Sequence, residues 1–231
     1  SSAASDVYKR QDLLSVHCLS LLKKKIEFYG KSSFSTVFCY RSQKFKDAND
    51  LNFNQCHEED LIIDSKAFLD MIIKNCGDIT SISMKCFPRL SFKWYWDHDF
   101  FQGEDKSLSM QLATQVSQAI LLYDKLYFYR INPESGQANL SIKNISDLAI
   151  FFFTSLQFDL TDDQKGSLLA SWPKACLSRC ILGLSNGKIL YKSVKEFIQS
   201  DLNCRLVDYC VSLKKSVFRS YKGFRMRIIF F

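Results

Sequence analysis

Three groups of residues have the types and spacing to do chemistry. The first is Thr154 and Ser155, two hydroxyls followed by the carboxylate of Asp159, directly after an apolar run over 148–153. Hydroxyls and unpaired amides at a helix N-terminus hold phosphate, because the first N–H groups lack intrahelical partners and the positive dipole end faces the anion. A carboxylate on the next turn accepts hydrogen bonds from ribose hydroxyls. The bland alternative is a buried strand ending in a helix cap at Thr154 or Ser155. The second group is Lys85 and Arg89 around Pro88, two cations at a strand end suited to a diphosphate, or else ordinary surface charge. Arg41 and Ser42 place a cation and a hydroxyl at the end of an earlier apolar run. The third group is Trp94, Tyr95, Trp96, Asp97, His98 and Asp99. Its rings can stack a sugar or base and its histidine can move a proton between acids, but no nucleophile or metal ligand accompanies it.

These groups need elements to position them. The run 146–153, apolar from Leu148 to Phe153, reads as a strand buried on both faces. Further strands are read over 34–40, 79–85, 125–131 and 188–191. Helices are read over 13–29 behind an Asp12 cap, over 66–75 behind Asp64 or Ser65, over 107–122, around a break at Pro173, over 193–200 and over 203–221. Helix and strand alternate, which predicts an α/β fold with an open, mainly parallel sheet and helices on both faces. In such a sheet Arg41, Ser42, Lys85, Arg89, Thr154 and Ser155 all open on one crevice at the carboxyl ends of the strands.

Composition narrows the classes. The 231 residues carry 31 Lys and Arg against 24 Asp and Glu, a formal charge of +7, with few Pro and Gly and no repeat. The excess is concentrated at the C-terminal end, where Arg205, Lys214, Lys215, Arg219, Lys222, Arg225 and Arg227 meet one acid, Asp208. That tail suits a peripheral contact with an anionic membrane surface, or a solvated helix face; no specific nucleic-acid signal accompanies it. Nine cysteines occur without a CxxC pair, so no metal site is predicted, and an odd count without a secretory signal suggests a reducing, cytoplasmic compartment. No apolar run approaches the ~20 residues of a spanning helix.

Two resemblances bear on organisation. Residues 1–11 resemble the translation of a sequencing-library adapter and are set aside from fold reasoning, leaving an α/β domain over 12–203 and a basic amphipathic helix and tail over 204–231. The strand leading into Thr154, Ser155 and Asp159, together with Lys85, Pro88 and Arg89, resembles the C-terminal half of GT-B-type glycosyltransferases of surface and capsular carbohydrate biosynthesis. Asp159 stands where that family has Glu, and Cys86-Phe87 replace its histidine-containing pair. The resemblance implies a Rossmann-like fold and a nucleotide-sugar donor in place of a resident cofactor. Arg41, Ser42, Lys85, Arg89, Thr154, Ser155 and Asp159 would bind its diphosphate and sugar. It also implies a carbohydrate acceptor, a missing N-terminal half carrying the catalytic base, and residence at the inner membrane face. The alternative from another class is a non-catalytic protein-interaction domain of repeat-like or F-box-adaptor type.

Overall fold

The longest strand among the described residues gathers the sheet around itself. The computed structural model describes residues 12–29, 35–46, 59–75, 77–88, 103–131 and 141–212. They belong to two units, Ser1–Leu140 and Ser141–Phe231. In the first unit the order is β1 (Leu13–Leu14), α1 (Cys18–Tyr29), β2 (Thr36–Phe45), β3 (Leu61–Asp64) and α2 (Ser65–Ile73). Two 3-10 turns (Gly77–Thr80 and Ile82–Met84), β4 (Lys85–Cys86), α3 (Glu104–Ala113) and β5 (Gln118–Arg130) complete it.

β5 takes β2 along one edge in parallel, from Thr36 opposite Gln118 to Phe45 opposite Arg130. Its other edge is shared by two antiparallel partners, β3 with Ile62 opposite Ile120 and β1 with Leu13 opposite Phe128. β4 runs antiparallel on the far side of β2 and sets Lys85 opposite Cys39. The sheet is therefore mixed and mostly antiparallel, which corrects the open, mainly parallel Rossmann-like sheet predicted from the alternation of elements. Its order is β1-β5-β2-β4 with β3 also on β5, and among the described residues only β2 and β5 run parallel, so no row of parallel strand ends faces one crevice there.

Phe38, Tyr40, Ile120, Leu122 and Leu126 form one core with Cys18 and Leu22 of α1. Strand alternation places Val37 and Cys39 on the other face, where Lys85 reaches Ser109 of α3 and α3 packs on α2. Phe68, Ile72, Met110 and Leu112 are fully buried there. Each such side chain contributes about 1.5–3 kcal/mol by leaving water. Asp64 caps α2 as its position suggests, accepting from Ala67 N at 2.7 Å. Asp12 does not cap α1; its carboxylate accepts from Tyr127 Oη at 2.6 Å and Arg130 N at 2.9 Å, which holds β1 on the sheet.

The helix predicted over 107–122 ends at Ala113, and residues from Gln118 onward are strand. Leu112, Val116 and Ile120 recur every four residues, a spacing that keeps one face of a helix and one face of a strand alike. The strand predicted over 79–85 is mostly 3-10 turn, with only Lys85 and Cys86 paired.

The second unit is helical among the described residues: α4 (Ile142–Ser155), α5 (Asp162–Ser185), α6 (Tyr191–Ile198) and α7 (Asp201–Ser212). Its largest correction falls on the run 146–153, predicted as a buried strand and found inside α4. Ser141 caps that helix by accepting from Asn144 N at 3.2 Å. α4 packs against α5, α6 and α7, burying Ile145, Leu148, Ala149, Phe151 and Phe152. A helix covered on most sides has no polar stripe to reveal its period, so a continuous apolar run cannot distinguish it from a strand. The strand predicted over 188–191 is absent too; Leu190 is the extended residue before α6. α5 opens with a reciprocal capping box between Thr161 and Gln164 and continues through position 173. No helix among the described residues is long and apolar enough to cross a membrane.

Candidate functional site

The sequence-derived site residues are divided between the units. Arg41, Ser42 and Lys85 lie in the first, Thr154, Ser155 and Asp159 in the second, and Arg89 lies outside the described residues, as do the 94–99 cluster and the tail beyond Ser212. Arg41 stands mid-strand at a register irregularity of β2, with its guanidinium carbon 4.2 Å from the centre of the Tyr123 ring. Ser42 follows it, half-buried, three residues before the strand ends. Neither is at a crevice lip.

Thr154 and Ser155 close α4. They occupy its carbonyl end, where the dipole is negative and repels phosphate. The amides that follow return to the helix itself, Leu156 N to Phe153 O and Gln157 N to Thr154 O. Ser155 is 0% exposed and its Oγ has no hydrogen-bond partner among the described residues. Asp159 is exposed in the link to α5.

Lys85 is the centre of a dense polar cluster, though a different one from that predicted. Its side chain is buried beneath the 3-10 turns, and its ammonium donates to Ile79 O, Ser81 O and Ser109 Oγ, the last at 2.9 Å. Ser109 Oγ in turn donates a hydrogen bond to Thr80 O at 2.9 Å. Ser81 Oγ donates to Asp105 Oδ2 at 3.0 Å, and Tyr40 Oη donates to Ser83 O at 2.8 Å. Burial pushes Lys85 down to about 8, with Cys39 and Asp105 acting the other way. Burial also drives the facing Cys39 thiol up to about 12, opposed by Lys85.

A serine hydroxyl against a lysine amine is a nucleophile–base pairing. All three ammonium protons of Lys85 are nevertheless given to the chain's own acceptors, and Ser109 is fully buried. The arrangement ties β4 and both turns to α3 and presents nothing for a carbonyl or phosphate to approach. Lys106 plays a similar part, donating to Ile73 O at 3.0 Å and Asn75 Oδ1 at 2.8 Å, which caps the end of α2. Sequence reasoning found Lys85 and missed Ser81, Asp105 and Ser109, since nothing in their spacing predicts turns that fold back onto α3. Among the described residues no group of three metal-ligating side chains converges.

An outward-facing apolar feature of the second unit is the corner between α5 and α6. Cys176, Cys180 and Gly183 line the buried side of α5. One residue further round, Leu177 (61% exposed), Ile181 (57%) and Leu184 form an outward stripe at helical spacing. Leu182 is exposed beside it, and Leu190 (72%) and Tyr191 (68%) stand out where α6 begins. The corner is fixed by Gly183, whose carbonyl accepts from Lys188 N at 2.9 Å and Ile189 N at 3.1 Å. A Cβ at Gly183 would lie 2.4 Å from Ile189 Cδ1, so glycine is what lets the turn close. Gly187, at φ +64°, takes the left-handed conformation that ends α5. Between Gln164 and Lys195 the sequence holds Lys165, Lys174, Arg179, Lys188, Lys192 and Lys195 and no acid.

Comparison with protein-family models and with curated proteins finds no match to this chain.

Proposed function

We propose that this chain is a non-catalytic binding module whose working surface is the α5–α6 corner and whose partner is anionic. The exposed apolar stripe inside a stretch free of acids carries this reading. Monomeric proteins seldom leave a contiguous apolar patch bare without a partner for it, and cations around the patch select a negatively charged one. The buried chemistry supports the same view, because among the described residues of the first unit Lys85, Ser109, Lys25 and Asp60 are engaged in internal hydrogen bonds. The competing transferase reading loses the parallel sheet on which its crevice depended.

Two measurements test it. Thermal-shift titration with UDP, GDP, CMP and ADP is expected to leave Tm unchanged; a nucleotide that raises Tm returns the chain to the transferase class, since a ligand bound only to the fold must stabilise it. The double substitution Leu182→Glu/Leu190→Glu is expected to change stability by less than about 0.5 kcal/mol, as for surface sites. A large loss of stability would mean that these residues are core and not a docking face.

A further inference from the structure

The geometry points to an anionic lipid surface as the occupant of the α5–α6 corner, with Leu190 and Tyr191 entering the boundary between headgroups and acyl chains. This rests on the binding-module reading and names its partner. The lipid is favoured over an acidic protein by how the side chains are displayed. Within the corner, exposure is greatest at Leu190 (72%) and Tyr191 (68%), at the turn between two helices, and is 37–61% at the α5 residues Leu177, Ile181, Leu182 and Leu184. A partner protein must supply a groove shaped for such residues, whereas a fluid interface accepts whatever stands furthest from the fold.

The chemistry around the turn suits the same surface. Lys188 and Lys192 bracket Leu190 and Tyr191 in sequence and both are exposed, Lys192 lying 3.9 Å from Glu196 one turn further along α6 in a solvated pair that leaves it open to headgroups. Lysines next to inserted apolar residues keep their stems along the apolar layer and their ammonium groups among phosphates. Each basic residue held near an anionic leaflet contributes about 1 kcal/mol, and a tyrosine with an apolar ring and a polar tip prefers that depth. The apolar residues supply the part of the affinity that survives salt, and the lysines supply the preference for anionic headgroups.

The corner is also held ready. Asn186 N donates to Leu182 O at 3.1 Å and Gly187 N to Leu184 O at 3.1 Å, alongside the two bonds to Gly183 O. Ile189 is buried between the exposed Lys188 and Leu190 and anchors the turn from inside. Little conformational freedom is left to lose on docking, which favours binding by a small patch.

The test is vesicle co-sedimentation of the full chain. Vesicles of phosphatidylcholine alone are compared with vesicles containing about 30% phosphatidylserine, a charge density that gives a strong surface potential. The wild-type chain is expected to sediment with the anionic vesicles and not with the neutral ones. Leu190→Glu/Tyr191→Glu is expected to abolish sedimentation with Tm unchanged, and Lys188→Glu/Lys192→Glu to weaken it about tenfold or more. Lys214→Glu/Lys215→Glu, a control in the basic tail, is expected to keep the dependence on the corner. Absence of wild-type binding to anionic vesicles overturns the proposal, as does binding that the corner variants retain and the tail variant loses. If the wild type ignores vesicles but binds a glutamate-rich amphipathic peptide through Leu190, the lipid assignment falls while the binding module stands. If those residues prove to be core by their effect on Tm, both fall.

Discussion

The polar interior of the first unit and the apolar corner of the second use their unusual residues in opposite ways. The first draws polar groups inward and satisfies them there: Lys85 on two carbonyls and a serine, Asp60 on Lys25 and Tyr29, Asp12 on Tyr127 and a backbone amide. Both units also leave apolar side chains outward, Val16, Leu19 and Phe28 in the first, and in the second the leucines, isoleucine and tyrosine gathered at the α5–α6 corner. A buried charge that is fully hydrogen-bonded constrains the fold. An exposed apolar group constrains only what the fold meets. The contrast teaches that residue types associated with catalysis can serve to hold a fold together.

Lys85→Met tests the inward half and should have the largest effect. It leaves Ile79 O, Ser81 O and Ser109 Oγ without their shared donor, and the loss expected in chemical unfolding is about 2–4 kcal/mol. A change below about 0.5 kcal/mol would remove Lys85 from the structural role. The pH dependence sharpens the same point. The folded lysine titrates near 8, below its ordinary 10.5. Between those values the unfolded chain holds a proton that the fold has released, so stability rises with pH through that window. The variant lacks this contribution, and the difference in unfolding free energy between wild type and Lys85→Met should widen as pH rises from 8 to 10.

Gly183→Ala comes next and breaks the outward half without touching its exposed residues. The new methyl would meet Ile189 at 2.4 Å, and overpacking of that kind costs about 1–3 kcal/mol. Pairing it with Ile189→Val removes one of the clashing methyl groups and should recover part of the loss in a double-mutant cycle. Ser155→Ala is the smallest and has the opposite sign. It removes a buried hydroxyl with no partner among the described residues, so the melting temperature should hold or rise, by up to about 1 kcal/mol of stability. A loss exceeding about 1 kcal/mol would show that the hydroxyl has a partner in solution.

Some of this was readable in the residues themselves. Asp64 or Ser65 before a helix-period segment marked the start of α2 to within a residue, and the structure selects Asp64, whose short carboxylate satisfies an amide the helix leaves unpaired. The β-rich run within 125–131 was a strand for reasons of side-chain shape, and it lies in β5 apart from Ile131. The α/β class followed from the same local patterns. The exposed spacing of Leu177, Ile181 and Leu184 was also present in the sequence, but nothing local distinguishes an outward apolar stripe from an inward one.

Tertiary structure decided the rest. Whether residues 146–153 form strand or helix depends on what surrounds them, and α5, α6 and α7 surround them as a helix. That choice moved Thr154 and Ser155 from a predicted amide end to a carbonyl end and reversed the sign of the dipole they share. The pairing of β5 with β1, β2 and β3 joins segments far apart in sequence, so parallel and antiparallel neighbours could not be told apart from alternation alone. Lys85 looked like surface charge or a phosphate ligand, and only the folding of two turns onto α3 made it a buried tie. Local residue patterns set what each segment is able to form; burial, a property of the whole unit, selected which form it took and which side chains remained in contact with water.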